Sequence, residues 1–184
     1  MAILIEKMLT SKRIYEGKIL NLRVDQVVLP DGTTGSREVV EHSGAVAVVA
    51  LDDMGNVMLV KQYRYATGEE LIEIPAGKLN EGENPEECAV RELREETGYD
   101  AKKVTKLASF YSTPGFSSEK LNLFLATGLS YAGQHLDQDE FVEIIKVKLS
   151  QALNMVDSGE IKDAKSITGL LMAQRVLQKP GKSG

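Results

Sequence analysis

Seven consecutive apolar positions, Ala45-Val-Ala-Val-Val-Ala-Leu51, follow Gly44 and read as a buried strand. Asp52-Asp-Met-Gly-Asn56 carries turn chemistry and leads into Val57-Met-Leu-Val-Lys-Gln-Tyr63, so the pattern predicts a hairpin in a main sheet. Leu71–Ile74 is a further short strand, stopped by Pro75, and Val104–Phe110, Leu121–Ala126 and Val142–Leu149 read as strands too. Ahead of them, the alternating stretches Ile19–Val28 and Glu38–Val40 flank the turn-rich Pro30-Asp-Gly-Thr-Thr-Gly35 and predict a small antiparallel β appendage. Helical periodicity is confined to three places. One runs from about Pro85 to Thr97. A second covers Gln151–Asp157, with Ser150 as its expected cap, and a third covers Ala164–Leu177, ended by Pro180 and Gly181. Strands and helices do not alternate regularly, which excludes a doubly wound sheet. The expected class is α+β, an αβα sandwich around a mixed or antiparallel sheet, with residues 1–41 as the appendage and 42–184 as the main domain.

Composition narrows the function. A chain of 184 residues with 42% hydrophobic and 27% charged positions fits one domain plus a small appendage. No apolar run approaches the ~20 residues of a membrane-spanning helix, and Glu6 and Lys7 interrupt Met1-Ala-Ile-Leu-Ile before a leader can form. No membrane partner is expected. Cys88 is the single cysteine, so neither a disulfide within the chain nor a cysteine-based zinc site is expected, and a reducing cytoplasm is the expected compartment. The net charge of -5 suits no nucleic-acid backbone. A polyanionic ligand would need a specific site or a metal.

The segment Gly77–Tyr99 supplies candidate chemistry for such a site. Asn84 stands where a helix is capped, Pro85 at the first helical position, Glu87 where a capping box places its acid, and Gly98 where the helix stops. On such a helix Glu92, Glu95 and Glu96 fall within an arc of about 100°, beside an apolar stripe of Ala89, Val90 and Leu93. Solvated ion pairs, Glu87 to Arg91 and Arg91 to Glu95, are the ordinary explanation of an acidic helix. They leave too much unexplained here. Glu92 repels Glu95 and Glu96 at i,i+3 and i,i+4, and six acids against two arginines between Glu83 and Glu96 give a local charge of -4. Hard oxygen ligands gathered in this way suit Mg²⁺ or Mn²⁺, ions that keep several waters and take further ligands from a substrate's phosphates.

The spacing of Gly77, five residues, Glu83, seven residues, then Arg91-Glu-Leu-Arg-Glu-Glu-Thr-Gly98-Tyr99 resembles the Nudix box of the Nudix hydrolases. Tyr99 is the one soft departure, standing where the family usually has an aliphatic residue. The resemblance implies an αβα sandwich that hydrolyses a nucleoside diphosphate linked to another moiety with a divalent metal. Glu92 and Glu96 are implied as the main metal carboxylates, Glu95 as a further or water-mediated ligand and the Ala76 carbonyl as a main-chain ligand, with Gly77 allowing the approach. Arg91 is similar to the family arginine that orients the glutamates, and Glu83 to the acid that fixes the loop before the helix.

Outside the box, Gln62-Tyr-Arg64, Glu73-Ile-Pro-Ala-Gly77 and Tyr111-Ser-Thr-Pro114-Gly115 are similar to the ADP-ribose pyrophosphatase branch. That likeness implies cleavage of ADP-ribose to AMP and ribose 5-phosphate, with Arg64, Glu73, Pro114 and Gly115 in contact with substrate. Taken by itself Pro114 reads as an ordinary turn residue and Glu119 as an exposed loop acid that could reach the site, while Arg64 reads equally as a solvated strand-end arginine. Asp137-Gln-Asp139-Glu140 is the expected source of the general base, with Glu140 the leading candidate, Asp137 and Asp139 the alternatives and His135 a weaker one. His42 is read as structural and Cys88 as a buried thiol. Relatives in this branch pair through such an appendage, so a homodimer is expected. Two readings compete: hydrolysis of another nucleotide sugar, such as GDP-mannose, and a catalytically silent module that senses ADP-ribose.

Overall fold

The computed structural model describes residues 4–136 and 141–178, which form two compact units. Residues 1–44 belong with 111–120 in the first, and 45–110 with 121–184 in the second. The first unit is built on an antiparallel sheet of β1 (Lys7–Glu16), β2 (Asn21–Val28) and β3 (Thr34–Glu41), in that order. β1 has no counterpart in the sequence pattern. All ten of its residues are exposed, so no period-two alternation marks it, and its conformation comes from pairing with β2.

The second unit holds β4 (Ala45–Leu51), β5 (Asn56–Arg64), β6 (Glu69–Glu73), β7 (Ala76–Lys78), α1 (Pro85–Thr97), β8 (Tyr99–Tyr111), β9 (Lys120–Tyr131), β10 (Glu143–Lys148), α2 (Leu149–Asp157) and α3 (Ala164–Gln178). Its main sheet runs β10-β5-β4-β9-β8, with β6 beside β5 and β7 beside β4. The sheet is mixed, because β4 pairs parallel with β9 and antiparallel with β5 and β7. β4 is apolar throughout because both of its faces are buried. Val46, Val48 and Ala50 pack with Cys88, Ala89 and Leu93 of α1, while Ala47, Val49 and Leu51 pack with Ala152 and Met155 of α2 and Leu170 and Ala173 of α3. This is the expected αβα sandwich.

The predicted hairpin is shorter than its strands, since β4 meets β5 only at Ala50↔Met58 and Leu51↔Val57. The first half of β4 pairs instead with β7, through Ala45↔Lys78, Val46↔Gly77 and Ala47↔Ala76. That substitution brings the Ala76-Gly77 main chain beneath α1. Ser150 does not cap its helix. α2 begins at Leu149 with Lys148 in the cap position and no side-chain cap bond, which places Ser150 inside the first turn. Among the described residues no helix is long and apolar enough to cross a membrane.

Candidate active site

Local signals place α1. The Asn84 side chain accepts the Glu86 N–H, Pro85 starts the helix, and Gly98 ends it at φ 73°, its N–H donating to the Arg94 carbonyl. The helix buries Cys88, Ala89, Leu93 and Thr97, and with them two of its glutamates, Glu92 at 9% exposure and Glu96 at 4%. Buried carboxylates need partners or a cation.

The β6-β7 junction supplies part of what they need. The Ala76 N–H donates to Glu96 Oε2 at 3.0 Å. Gly77 lies directly under Glu92, and a Cβ there would overlap the carboxylate carbon and both oxygens. The structure thus gives Gly77 a definite steric role, as the floor of the Glu92 carboxylate. On the other side of the junction the Val48 N–H donates to the Pro75 carbonyl at 2.8 Å, and the buried Ser166 hydroxyl accepts the Ile74 N–H at 2.8 Å. Residues 74–77 are held from β4, α1 and α3 at once.

Arg91 organises the outer part of the acidic face. It donates to Glu83 through Nε at 2.9 Å and Nη2 at 3.1 Å, and through Nη1 to Glu92 at 2.7 Å and Glu95 at 2.8 Å. The expected i,i+4 pair with Glu95 forms, whereas on the N-terminal side the guanidinium goes to Glu83 and not to Glu87. Its bonds to Glu83 are the main reason that the Arg91 pKa rises. The same bonds, with the Asn80 N–H, pull the Glu83 carboxyl down to about 2. Glu83 therefore stays ionised and clamps the loop to the helix. Cys88 is fully buried, its thiol pushed up to about 12 chiefly by desolvation, which fits the expected inert packing role.

Arg64 is not a solvated strand end. Its Nε and Nη2 donate to Glu73 Oε1 and Oε2 at 2.8 and 2.7 Å, a bidentate pair whose carboxylate is 1% exposed. Lys165 of α3 donates to the same Glu73 and, at 2.8 Å, to Asp163. Burial raises the Glu73 pKa, and the Arg64 and Lys165 contacts outweigh it to leave a net lowering. Arg64 is raised first by Glu73, with Glu96 and Asp163 adding attraction, so this corner adjoins the α1 carboxylates electrostatically. Sequence reading missed Lys165, Ser166 and Asp163. Lys165 and Ser166 meet Glu73 and Ile74 across 92 positions, a distance that no local pattern reports, and Asp163 joins the corner only through Lys165 and Ser166.

Other expected site residues belong to the first unit or fall outside the described residues. Pro114, Gly115, Glu119 and His42 fall in the first unit. There the Glu119 side chain bonds the Ser112 hydroxyl, and His42 Nδ1 accepts the Gly44 N–H at 3.0 Å, consistent with a structural histidine. Asp137, Asp139 and Glu140 lie outside the described residues. The segment leading to them is tied to the site. The Gln134 side chain donates to the Glu96 carbonyl at 2.6 Å, and the His135 N–H donates to the Glu95 carbonyl at 3.1 Å. A cavity of about 450 Å³ is lined by Leu136 and Phe141, on either side of that acidic stretch, with Lys61, Gln62 and Tyr63 of β5. A larger one of about 620 Å³ runs along α1, lined by Asn84, Glu87, Val90, Arg91, Arg94 and Asp100 but by neither Glu92 nor Glu96.

Residues 41–178 match the NUDIX domain family. The chain belongs to the Nudix family. That match contains the Gly77–Tyr99 segment, and residues 6–40 match a second family, the nucleoside diphosphate sugar hydrolase N-terminal domain. Over 163 residues, 88% of each chain, this Nudix protein is 49% identical to an ADP-ribose pyrophosphatase of Bacillus subtilis (strain 168). It is 42% identical over 171 residues, 92% of each chain, to a methanol dehydrogenase activator of Bacillus methanolicus. The crystal structure of an ADP compounds hydrolase superposes with a TM-score of 0.83 over 94% of each chain at 21% identity, a likeness of fold.

Proposed function

We propose that this Nudix pyrophosphohydrolase cleaves the pyrophosphate of ADP-ribose to AMP and ribose 5-phosphate, with Mg²⁺ as its working ion. The observation that carries the reading is the hold on residues 73–77, which join the α1 glutamates to the Arg64–Glu73 pair across five consecutive positions. A metal-oxygen face and an anion-binding arginine side by side suit a diphosphate. The 49% identical relative, named an ADP-ribose pyrophosphatase, supports the choice of substrate.

Divalent ions are the general cofactors of Nudix hydrolases, and the donor set fits one by its chemistry. As they stand, no three His, Cys, Asp or Glu side chains among the described residues gather round one point, and Arg91 engages Glu92 and Glu95. Mg²⁺ does not require such a cage. It is commonly held by one or two carboxylates together with water and substrate phosphate oxygens. Glu92, Glu96 and the Ala76 carbonyl are proposed as its protein ligands, with Glu95 as a further one. Bound there, the ion would neutralise phosphate charge and lower the pKa of an attacking water. Arg91 keeps the glutamates oriented, Arg64 receives a substrate phosphate through the donors that Glu73 leaves over, and Pro114 and Gly115 are proposed as further substrate contacts.

With Mg²⁺, hydrolysis of ADP-ribose is expected to exceed that of GDP-mannose and dinucleoside polyphosphates in kcat/KM, and to stop in excess EDTA. A faster GDP-mannose reaction would move the protein to another substrate. No hydrolysis of any of them would leave a binding module.

Glu140 is proposed as the base, since carboxylates committed to a metal have low proton affinity. The tether of Gln134 and His135 to the Glu96 and Glu95 carbonyls supports a base from this segment. Glu140→Gln is expected to lower kcat far more than it changes KM, and Asp137→Asn and Asp139→Asn to do less. Severe loss in an aspartate variant instead would transfer the role there.

Residues 1–41 are proposed as a dimerisation segment that also completes the partner's adenosine site, with 42–184 as the hydrolase domain. In support, β1 is an edge strand with Met8, Leu9, Ile14 and Tyr15 exposed. Light scattering at micromolar concentration is expected to give the mass of a dimer. A fully active monomer would contradict this. The proposed compartment is the cytoplasm, where a buried free thiol stays reduced.

A further inference from the structure

We infer that Lys165 is a positioning residue for substrate binding, which through the buried Glu73 carboxylate holds the Arg64 guanidinium where it meets a substrate phosphate. The inference rests on the proposed role of Arg64 as that phosphate contact.

Four charged groups form the corner: Arg64 and Lys165 against Glu73 and Asp163, two of each sign. Glu73 is the pivot. Its carboxylate is 1% exposed and carries both cations, a state that burial permits only while the charge is balanced. Arg64 spends Nε and one arm on Glu73, and its side chain remains 40% exposed, so the fork is fixed at one edge and has donors left on the other.

Lys165 is placed differently. Its side chain is 17% exposed, and its ammonium group already bonds Glu73 and Asp163, so it is an anchor and not a ligand contact. The anchor is itself fixed. Asp163 Oδ1 accepts the Ser166 N–H at 3.1 Å, and Ser166 Oγ accepts the Ile74 N–H, so the first turn of α3 grips Glu73 and Ile74 in succession. The second oxygen of Asp163, Oδ2, is buried and has no hydrogen-bond partner among the described residues. Lys165 is therefore the group that keeps the Asp163 charge from being unopposed. Without the ammonium group, two carboxylates would face Arg64 alone. Arg64 would be drawn toward both, at the expense of the orientation that Glu73 now dictates, and a phosphate would meet a misaligned fork in a more negative field.

The test is a double-mutant cycle with Mg²⁺ and ADP-ribose on the full chain. Lys165→Met is expected to raise KM about tenfold, the order expected for one charge-assisted hydrogen bond, with kcat within about threefold of the parent. Lys165→Arg is expected to restore most of the loss. Arg64→Ala is expected to raise KM by at least as much, and Lys165→Met added to it to change KM no further. Lys165→Gln keeps a donor between the carboxylates and is expected to show the same direction with smaller size if the methionine variant does not fold. Two results would overturn the inference while leaving the role of Arg64 intact. One is an unchanged KM in both Lys165→Met and Lys165→Gln despite a raised KM in Arg64→Ala; the other is an equal rise from Lys165→Met in both backgrounds. A purely structural role would lower Tm at constant KM and counts against it too. An unchanged KM in Arg64→Ala is the distinct pattern in which the phosphate contact itself is wrong, and the positioning role falls with it.

Discussion

Glu96→Gln is expected to lower kcat with Mg²⁺ by about a hundredfold or more, an electrostatic loss of the kind seen when one charge-stabilising group is removed from an active site. The fold should survive. Glu96 is 4% exposed and accepts the Ala76 N–H, and a glutamine of the same size can present its amide oxygen to that donor. What disappears is one negative charge and one potential metal ligand. Circular dichroism and Tm close to the parent, with partial recovery of rate at raised Mg²⁺, would accompany the loss. Near-parental turnover in this variant would refute the metal role of the α1 glutamates, as would full activity of the unaltered protein in excess EDTA.

Gly77→Ala is expected to be as damaging through added volume alone. The new methyl group would sit inside the space of the Glu92 carboxylate. The strand is held in place, because Gly77 is paired with the fully buried Val46 of β4. Glu92 must therefore swing away from the Ala76-Gly77 main chain, which removes a proposed metal ligand, and Arg91 must follow or lose a bond. A fall in kcat/KM of about a hundredfold is expected, together with a lower Tm, since overpacking costs on the order of 1–3 kcal/mol. Activity within about threefold of the parent would show that Glu92 functions from another position.

The local signals were legible in the sequence where they had no competitor. Asn84, Pro85 and Gly98 bound α1 in the structure as their chemistry implies, and the apolar run of β4 coincides with the strand. Ser150 shows the limit of such signals. It has the chemistry of a cap, but β10 runs directly into α2 and the helix starts at Leu149. β1 left no signal, because a strand exposed along its whole length has no reason to alternate. The site divides in the same way. The Gly77–Tyr99 box, a contiguous stretch, could be read from spacing, and Arg91 is found ion-paired with Glu92 and Glu95, whereas its pair with Glu83 in place of Glu87 left no signal. Arg64 could not be read fully. Its bidentate bond to Glu73 depends on how β5 and β6 lie together, and the second cation on Glu73 comes from a helix near the end of the described chain.

The separation of Glu73 from Lys165 has a consequence for biogenesis. At about 5–20 residues per second, the 92 positions between them take on the order of 5–20 s to synthesise. β7 and α1 leave the peptidyl-transferase centre early in that interval, while the second anchor of Glu73, Lys165, does not yet exist. A half-made chain can pair strands and join Arg64 to Glu73, but it lacks the turn of α3 that grips Glu73 and Ile74. Ribosome-stalled chains ending at Asp157, before α3, are therefore expected to be poor hydrolases of ADP-ribose. Activity should appear only when α3 has emerged and its first turn closes on Glu73 and Ile74, so that the order of synthesis delays turnover until the last helix has docked.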